Sequence, residues 1–81
     1  MPKVFIWRGY RFHFFSNEGN PTEPCHIHIQ KDRNRAKFWL EPIISLEYNY
    51  GFSVKELNKF HKVIEENSET IKNKWYEYFN N

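Results

Sequence analysis

At 81 residues the chain has room for one small hydrophobic core, so a single domain over residues 1–81 is expected. Twelve basic residues against ten acidic ones give a formal charge of +2, which permits nucleic-acid contact in a local patch without arguing for it. Cys25 is alone, which excludes an internal disulfide, and no apolar run is long enough for a secretory signal or a membrane span. A cytoplasmic protein with no membrane attachment is the expectation.

In chain order, the first half reads as short alternating runs cut by turn residues. Residues 3–8 alternate Val4 and Ile6 against Phe5 and Trp7, Gly9 breaks the run, and residues 10–16 alternate Phe12 and Phe14 against Arg11, His13 and Phe15. This pattern predicts a hairpin. Residues 17–24 have a dense turn and loop composition, and residues 25–31 form a strand carrying His26 and His28 on one face and Ile27 and Ile29 on the other. After a turn at residues 32–35, residues 36–41 put Ala36, Phe38 and Leu40 opposite Lys37, Trp39 and Glu41, and Pro42 ends the run. A shorter fifth strand is expected over residues 43–48.

The second half, from Ser53 onward, is helical and contains no Gly or Pro. Ser53 and Glu56 have the spacing of a capping box, so a helix is predicted to begin at Val54. Its apolar stripe runs through Leu57, Phe60 and Ile64, then Ile71, Trp75 and Tyr78 or Phe79. The polar Asn67-Ser68 step between them predicts two helices or one bent helix, with Ser68 able to cap the second segment. The expected fold is therefore α+β: an antiparallel β-meander of four to five strands (about 3–48) with a C-terminal helix or helix pair (about 53–79) packed on one face.

Aligning the strands places Val4, Ile6, Phe12, Phe14, Ile27, Ile29, Phe38 and Leu40 under the helices. The other face then carries Phe5, Trp7, Arg11, His13, Phe15, His26, His28, Gln30, Lys37, Trp39 and Glu41. Three Trp, five Tyr and eight Phe are many for so small an interior, so part of this face is expected to meet a homodimer mate, a partner protein or stacked RNA bases. The binding residues this implies are Trp7, Arg11, Phe15, Glu18, His26, His28, Gln30, Lys37 and Trp39. A basic rim of Lys3, Arg8, Arg11, Lys31, Arg33, Arg35 and Lys37 could add phosphate contacts.

Several stretches carry a resemblance: Phe14-Phe15-Ser16-Asn17-Glu18-Gly19-Asn20, Pro24 with His26-Ile27-His28-Ile29, and Ala36-Lys37-Phe38-Trp39-Leu40-Glu41-Pro42. Together with Gly51-Phe52-Ser53 and Trp75-Tyr76-Glu77-Tyr78-Phe79, they resemble the domain-of-unknown-function family DUF4160 nearly end to end. The resemblance implies a small prokaryotic protein, often encoded beside another small gene and suspected of belonging to toxin–antitoxin-type pairs. It implies a partner and names no reaction. Many members have His where this chain has Gly19, and two adjacent prolines where it has Pro24-Cys25.

The histidines admit two readings. The plainer one is the solvated side of an amphipathic strand. The other is a divalent transition metal such as zinc, held by His13, His26 and His28 with an open fourth position, with Glu18 or Glu23 supplying a base or a further ligand. Cys25 points with the isoleucines, which makes a Cys-His nucleophile pair geometrically poor and a small buried hydrophobe the natural role. The leading function is a binding module of a two-gene system that engages a partner protein or RNA through the aromatic and histidine face. The alternative is a metal-dependent hydrolase or ribonuclease centred on His26 and His28.

Overall fold

A computed structural model describes residues 3–15 and 23–79. Five strands form one antiparallel sheet in the order β1-β2-β3-β4-β5: β1 (Lys3–Trp7), β2 (Tyr10–His13), β3 (His26–Lys31), β4 (Asn34–Trp39) and β5 (Ser45–Tyr50). Two helices follow, α1 (Val54–Glu66) and α2 (Ser68–Phe79). The architecture is the expected α+β meander. Among the described residues no helix is long and apolar enough to cross a membrane.

Turn chemistry sets the strand limits. Arg8 and Gly9 both take left-handed φ, 51° and 84°, which is the requirement of a tight two-residue hairpin and places Trp7 opposite Tyr10. The turn between β3 and β4 shrinks to Asp32-Arg33, so Asn34 and Arg35, expected in the turn, open β4 instead. β5 runs two residues later than expected, to Tyr50. The chain then reverses through Gly51, at φ 101°, where a Cβ would collide with the Asn34 side chain.

The tight first turn also corrects the face assignment of β1. Residues directly opposite one another share a face, and Tyr10 and Phe12 face the helices, so Phe5 and Trp7 must face them too. Phe5 stacks on Phe12 at 4.7 Å, and Trp7 meets Tyr10 at 5.8 Å and Phe60 at 6.5 Å. Ile6, expected inside, is 54% exposed. Trp7 and Phe5 therefore leave the predicted outer face.

The core forms where Phe12, Ile27, Ile29, Ala36, Phe38 and Leu40 meet Phe60, Val63 and Ile64 of α1 and Ile71 and Trp75 of α2. Cys25 is buried with them, as its strand parity required. The capping box forms: the Glu56 amide donates to Ser53 Oγ at 3.1 Å and the Ser53 amide to Glu56 Oε1 at 2.9 Å. The chain breaks at Asn67, whose side chain donates to the Val63 carbonyl at 2.8 Å. The Asn67 carbonyl then accepts from the Ile71 amide, so Ser68 is the first residue of α2 rather than its cap. At the end of the stripe it is Phe79 that packs on the core, while Tyr78 is exposed.

Candidate functional site

The antiparallel register arranges the helix-free face in cross-strand rows. One row reads Arg11, Gln30, Arg35, Tyr50; the next His13, His28, Lys37, Tyr48; the third His26, Trp39, Ser45. Each row is a set of directly opposed positions, so its members are neighbours on one face. Together the rows run from open to closed.

The row of Arg11 and Tyr50 is open. Arg11 and Arg35 are exposed, Gln30 is half-buried, and the Arg35 guanidinium lies over the Tyr50 ring at 5.0 Å. Tyr50 remains 57% exposed. In the middle row the His13 and His28 rings stack at 5.8 Å and 23°, and Phe15 lies over His28 at 3.9 Å. The Tyr48 hydroxyl is 3.3 Å from His28 Nδ1, and Lys37 Nζ is 4.0 Å from Glu23. His13 and His28 are therefore buried, although they stand on the side away from the core.

The third row is closed by α2. The His26 ring sits 5.2 Å from Trp39, 5.3 Å from His28 and 4.8 Å from Trp75, and none of the residue reaches solvent. Its Nδ1–H donates to the Pro24 carbonyl at 3.0 Å, which fixes the ring. Trp75 also meets Phe14 at 5.1 Å, so one indole joins the core to the histidine row. The Tyr76 hydroxyl donates to Glu41 at 2.8 Å, fastening α2 to the end of β4 and raising the Tyr76 pKa through that hydrogen bond to a carboxylate. Trp39 stays half-buried, with Lys37 Nζ 4.3 Å over its ring and its Nε1–H donating to Glu47 at 2.7 Å.

Of the residues expected to bind a partner, Arg11, Gln30, Lys37 and Trp39 reach the accessible surface of this face, and Phe15 reaches its border. His26 and His28 lie beneath the surface, and Trp7 lies on the opposite side. Glu18 falls outside the described residues. Tyr48, Glu47 and Tyr50 were missed as site residues, although Tyr48 and Tyr50 at strand spacing were a readable signal; the expected strand end at Tyr48 hid it.

The three imidazoles expected to take a metal are brought together as neighbours. Among the described residues, however, no group of three His, Cys, Asp or Glu is disposed to hold one ion. Nearly parallel His13 and His28 rings turn faces toward each other, whereas ligation requires in-plane lone pairs aimed at one point. Burial, reinforced by the Glu41 carboxylate, pushes the Cys25 thiol up to about 12, so it stays protonated and is no nucleophile near neutral pH.

No curated protein and no solved structure matches the chain. A match to a family of domains of unknown function covers residues 9–76, from the glycine of the first turn to the tyrosine that fastens α2 to Glu41. The chain belongs to the DUF4160 family.

Proposed function

We propose that this chain is a binding module of a two-gene, toxin–antitoxin-type system, and that it docks a partner protein on the open rows of its helix-free sheet face. The observation that carries this reading is the cluster of Arg35, Tyr50, Lys37, Trp39 and Tyr48 on the sheet face away from the core, with Arg35 laid over Tyr50 and Lys37 over Trp39. Tyr, Trp and Arg dominate protein–protein hot spots because they offer large rigid contact area with polar handles. The buried histidines of the same rows pack beside Lys37, Tyr48 and Trp39, and a packed surface lowers the ordering cost of association.

The test is titration of the chain against the product of the neighbouring gene by calorimetry. Tyr50→Ala and Trp39→Ala are each expected to weaken binding by about 2 kcal/mol or more, while Tyr78→Ala on α2 leaves it unchanged. Unaltered affinity in both face variants would remove the reading. If the chain instead pairs with itself, sedimentation shows a dimer that Tyr50→Ala dissociates.

The alternative, a metal-dependent hydrolase or ribonuclease centred on the His-x-His strand, draws on one observation, His28 standing between His26 and His13 at ring separations of 5.3 and 5.8 Å, and requires the stacked His13 and His28 rings to turn before they could share an ion. Zinc retained through purification, with a hydrolytic activity that is lost together with the metal in the His26→Gln, His28→Gln double variant, would establish it. Protein that takes up no zinc at micromolar concentration excludes it.

A further inference from the structure

On the opposite side of the molecule the first hairpin, the end of β3 and α1 enclose a groove of ≈ 300 Å³ that continues past Trp7 into a second depression of ≈ 330 Å³. Its floor is aromatic: Trp7, Tyr10 and Phe60, with Tyr10 against Phe60 at 4.8 Å. Its walls carry five cations, Arg8, Lys31, Lys55, Lys59 and Lys62. We propose that this groove binds single-stranded RNA, its cations taking the phosphates and its aromatic floor receiving a base edge. The site lies away from the sheet face and does not depend on the reading of that face.

Three features separate the groove from an ordinary solvated helix flank. Lys55 and Lys59 sit four residues apart on α1, a like-charge spacing that destabilises a helix, and Lys62 extends the same stripe. Cations come from three separate elements. The ion pairs found among the described residues, Lys37–Glu23 and His61–Glu65, lie elsewhere. Two of the groove cations lie over rings, Arg8 over Trp7 at 5.1 Å and Lys31 over Tyr10 at 4.6 Å, and Lys31 also faces the charge of Glu56.

The acids along the groove are Glu56 and, at its far end, Glu66. Glu56 is committed: it accepts from the Ser53 amide at 2.9 Å and from the Tyr10 hydroxyl at 2.6 Å, contacts that hold it below the usual carboxylate range. With lone-pair capacity left on each oxygen, this ionised carboxylate repels phosphate but can still accept from a 2′-hydroxyl, the group that distinguishes RNA from DNA. From Lys55 to Lys62 the helix rises about 10 Å, so the three lysines form one stripe along the groove. Cations around an aromatic floor are the arrangement that suits single strands, whose bases are free to meet the rings.

The test is fluorescence anisotropy with a mixed-sequence single-stranded RNA 12-mer, the same sequence as single-stranded DNA, and the duplex RNA. The expected dissociation constant for RNA is in the micromolar range at moderate salt, with log K falling against log salt at a slope of about −2 to −3 for three to four phosphates. The Lys55→Gln, Lys59→Gln, Lys62→Gln variant should bind at least tenfold more weakly and lose most of that slope. Arg8→Asn should also weaken binding, and it keeps the fold because Asn-Gly is a preferred sequence for this hairpin turn. Tyr50→Ala, on the other face, should bind RNA as the parent does. Absence of RNA binding, equal affinity for the DNA strand or the duplex, or RNA binding lost in Tyr50→Ala and kept in the triple variant would each overturn the proposal.

Discussion

The two faces of the sheet are built by different means, although the same strands make both. Under the helices, Ile27, Ile29, Phe38 and Phe12 are buried in one apolar cluster with Phe60, Ile64 and Ile71. On the other side, His28 and His13 are buried by partners chosen for chemistry: a stacked Phe15, a Tyr48 hydroxyl and a neighbouring imidazole. The lesson is that strand alternation tells which residues share a face and nothing about how dry that face is. His26, whose parity assigns it to the solvated side, is as buried as Ile27 because an indole from α2 reaches it.

The comparison breaks most decisively at Trp75, the residue that serves both faces. Trp75→Ala is expected to cost about 3–5 kcal/mol, near the whole stability of so small a domain, and to erase cooperative urea unfolding. A variant that still unfolds sharply at nearly the parental midpoint would show that α2 is dispensable to both faces. Next in size is the contrast within β1. Trp7→Ala should lose about 2–3 kcal/mol and Ile6→Ala no more than about 0.5 kcal/mol, by thermal or chemical denaturation. Equal losses would mean that β1 does not turn its aromatics toward α1.

A third experiment sharpens the contrast between buried and open polar rows. His26→Gln is expected to destabilise by about 1–3 kcal/mol, because it unmakes the bond to the Pro24 carbonyl at a fully buried position, whereas Gln30→Ala in the open row should change stability by less than about 0.5 kcal/mol. The smallest effect concerns acid. Glu56 has its folded pKa lowered by the Ser53 amide and then the Tyr10 hydroxyl, so its contribution is full above the unfolded value of about 4.3 and disappears as pH falls through the folded one. Melting temperatures measured from neutral to acid pH should therefore fall less steeply in Glu56→Gln than in the parent, and a parallel decline would refute the linkage.

Much of the fold was legible because its signals are local. The capping box at Ser53, the polar step at Asn67 and the parity of Cys25 with Ile27 each depend on residues within one or two turns of each other, and each appears in the structure. The face of β1 was not legible, because Val4, Phe5, Ile6 and Trp7 are apolar on both sides. Only the pairing set by Arg8-Gly9 decides it. In the candidate site, alternation located Arg11, Gln30, Lys37 and Trp39, but the covering of His26 required Trp75, far along the chain. The basic groove escaped notice for the same reason: Arg8 and Lys31 were read as a rim of the sheet, and the α1 lysines that complete the groove belong to a different half of the sequence.

The meander order also governs how the molecule assembles. Every ladder joins strands adjacent in sequence, so the sheet can grow by successive short loop closures, each entropically cheap. The closures that cannot be local are those bringing the first hairpin to α1, where Tyr10 reaches Glu56, and the end of β4 to α2, where Glu41 reaches Tyr76. In a stopped-flow chevron, Phe60→Leu should therefore slow folding more than Ala36→Gly in the sheet, since the rate waits on the encounter that the chain's two ends must make.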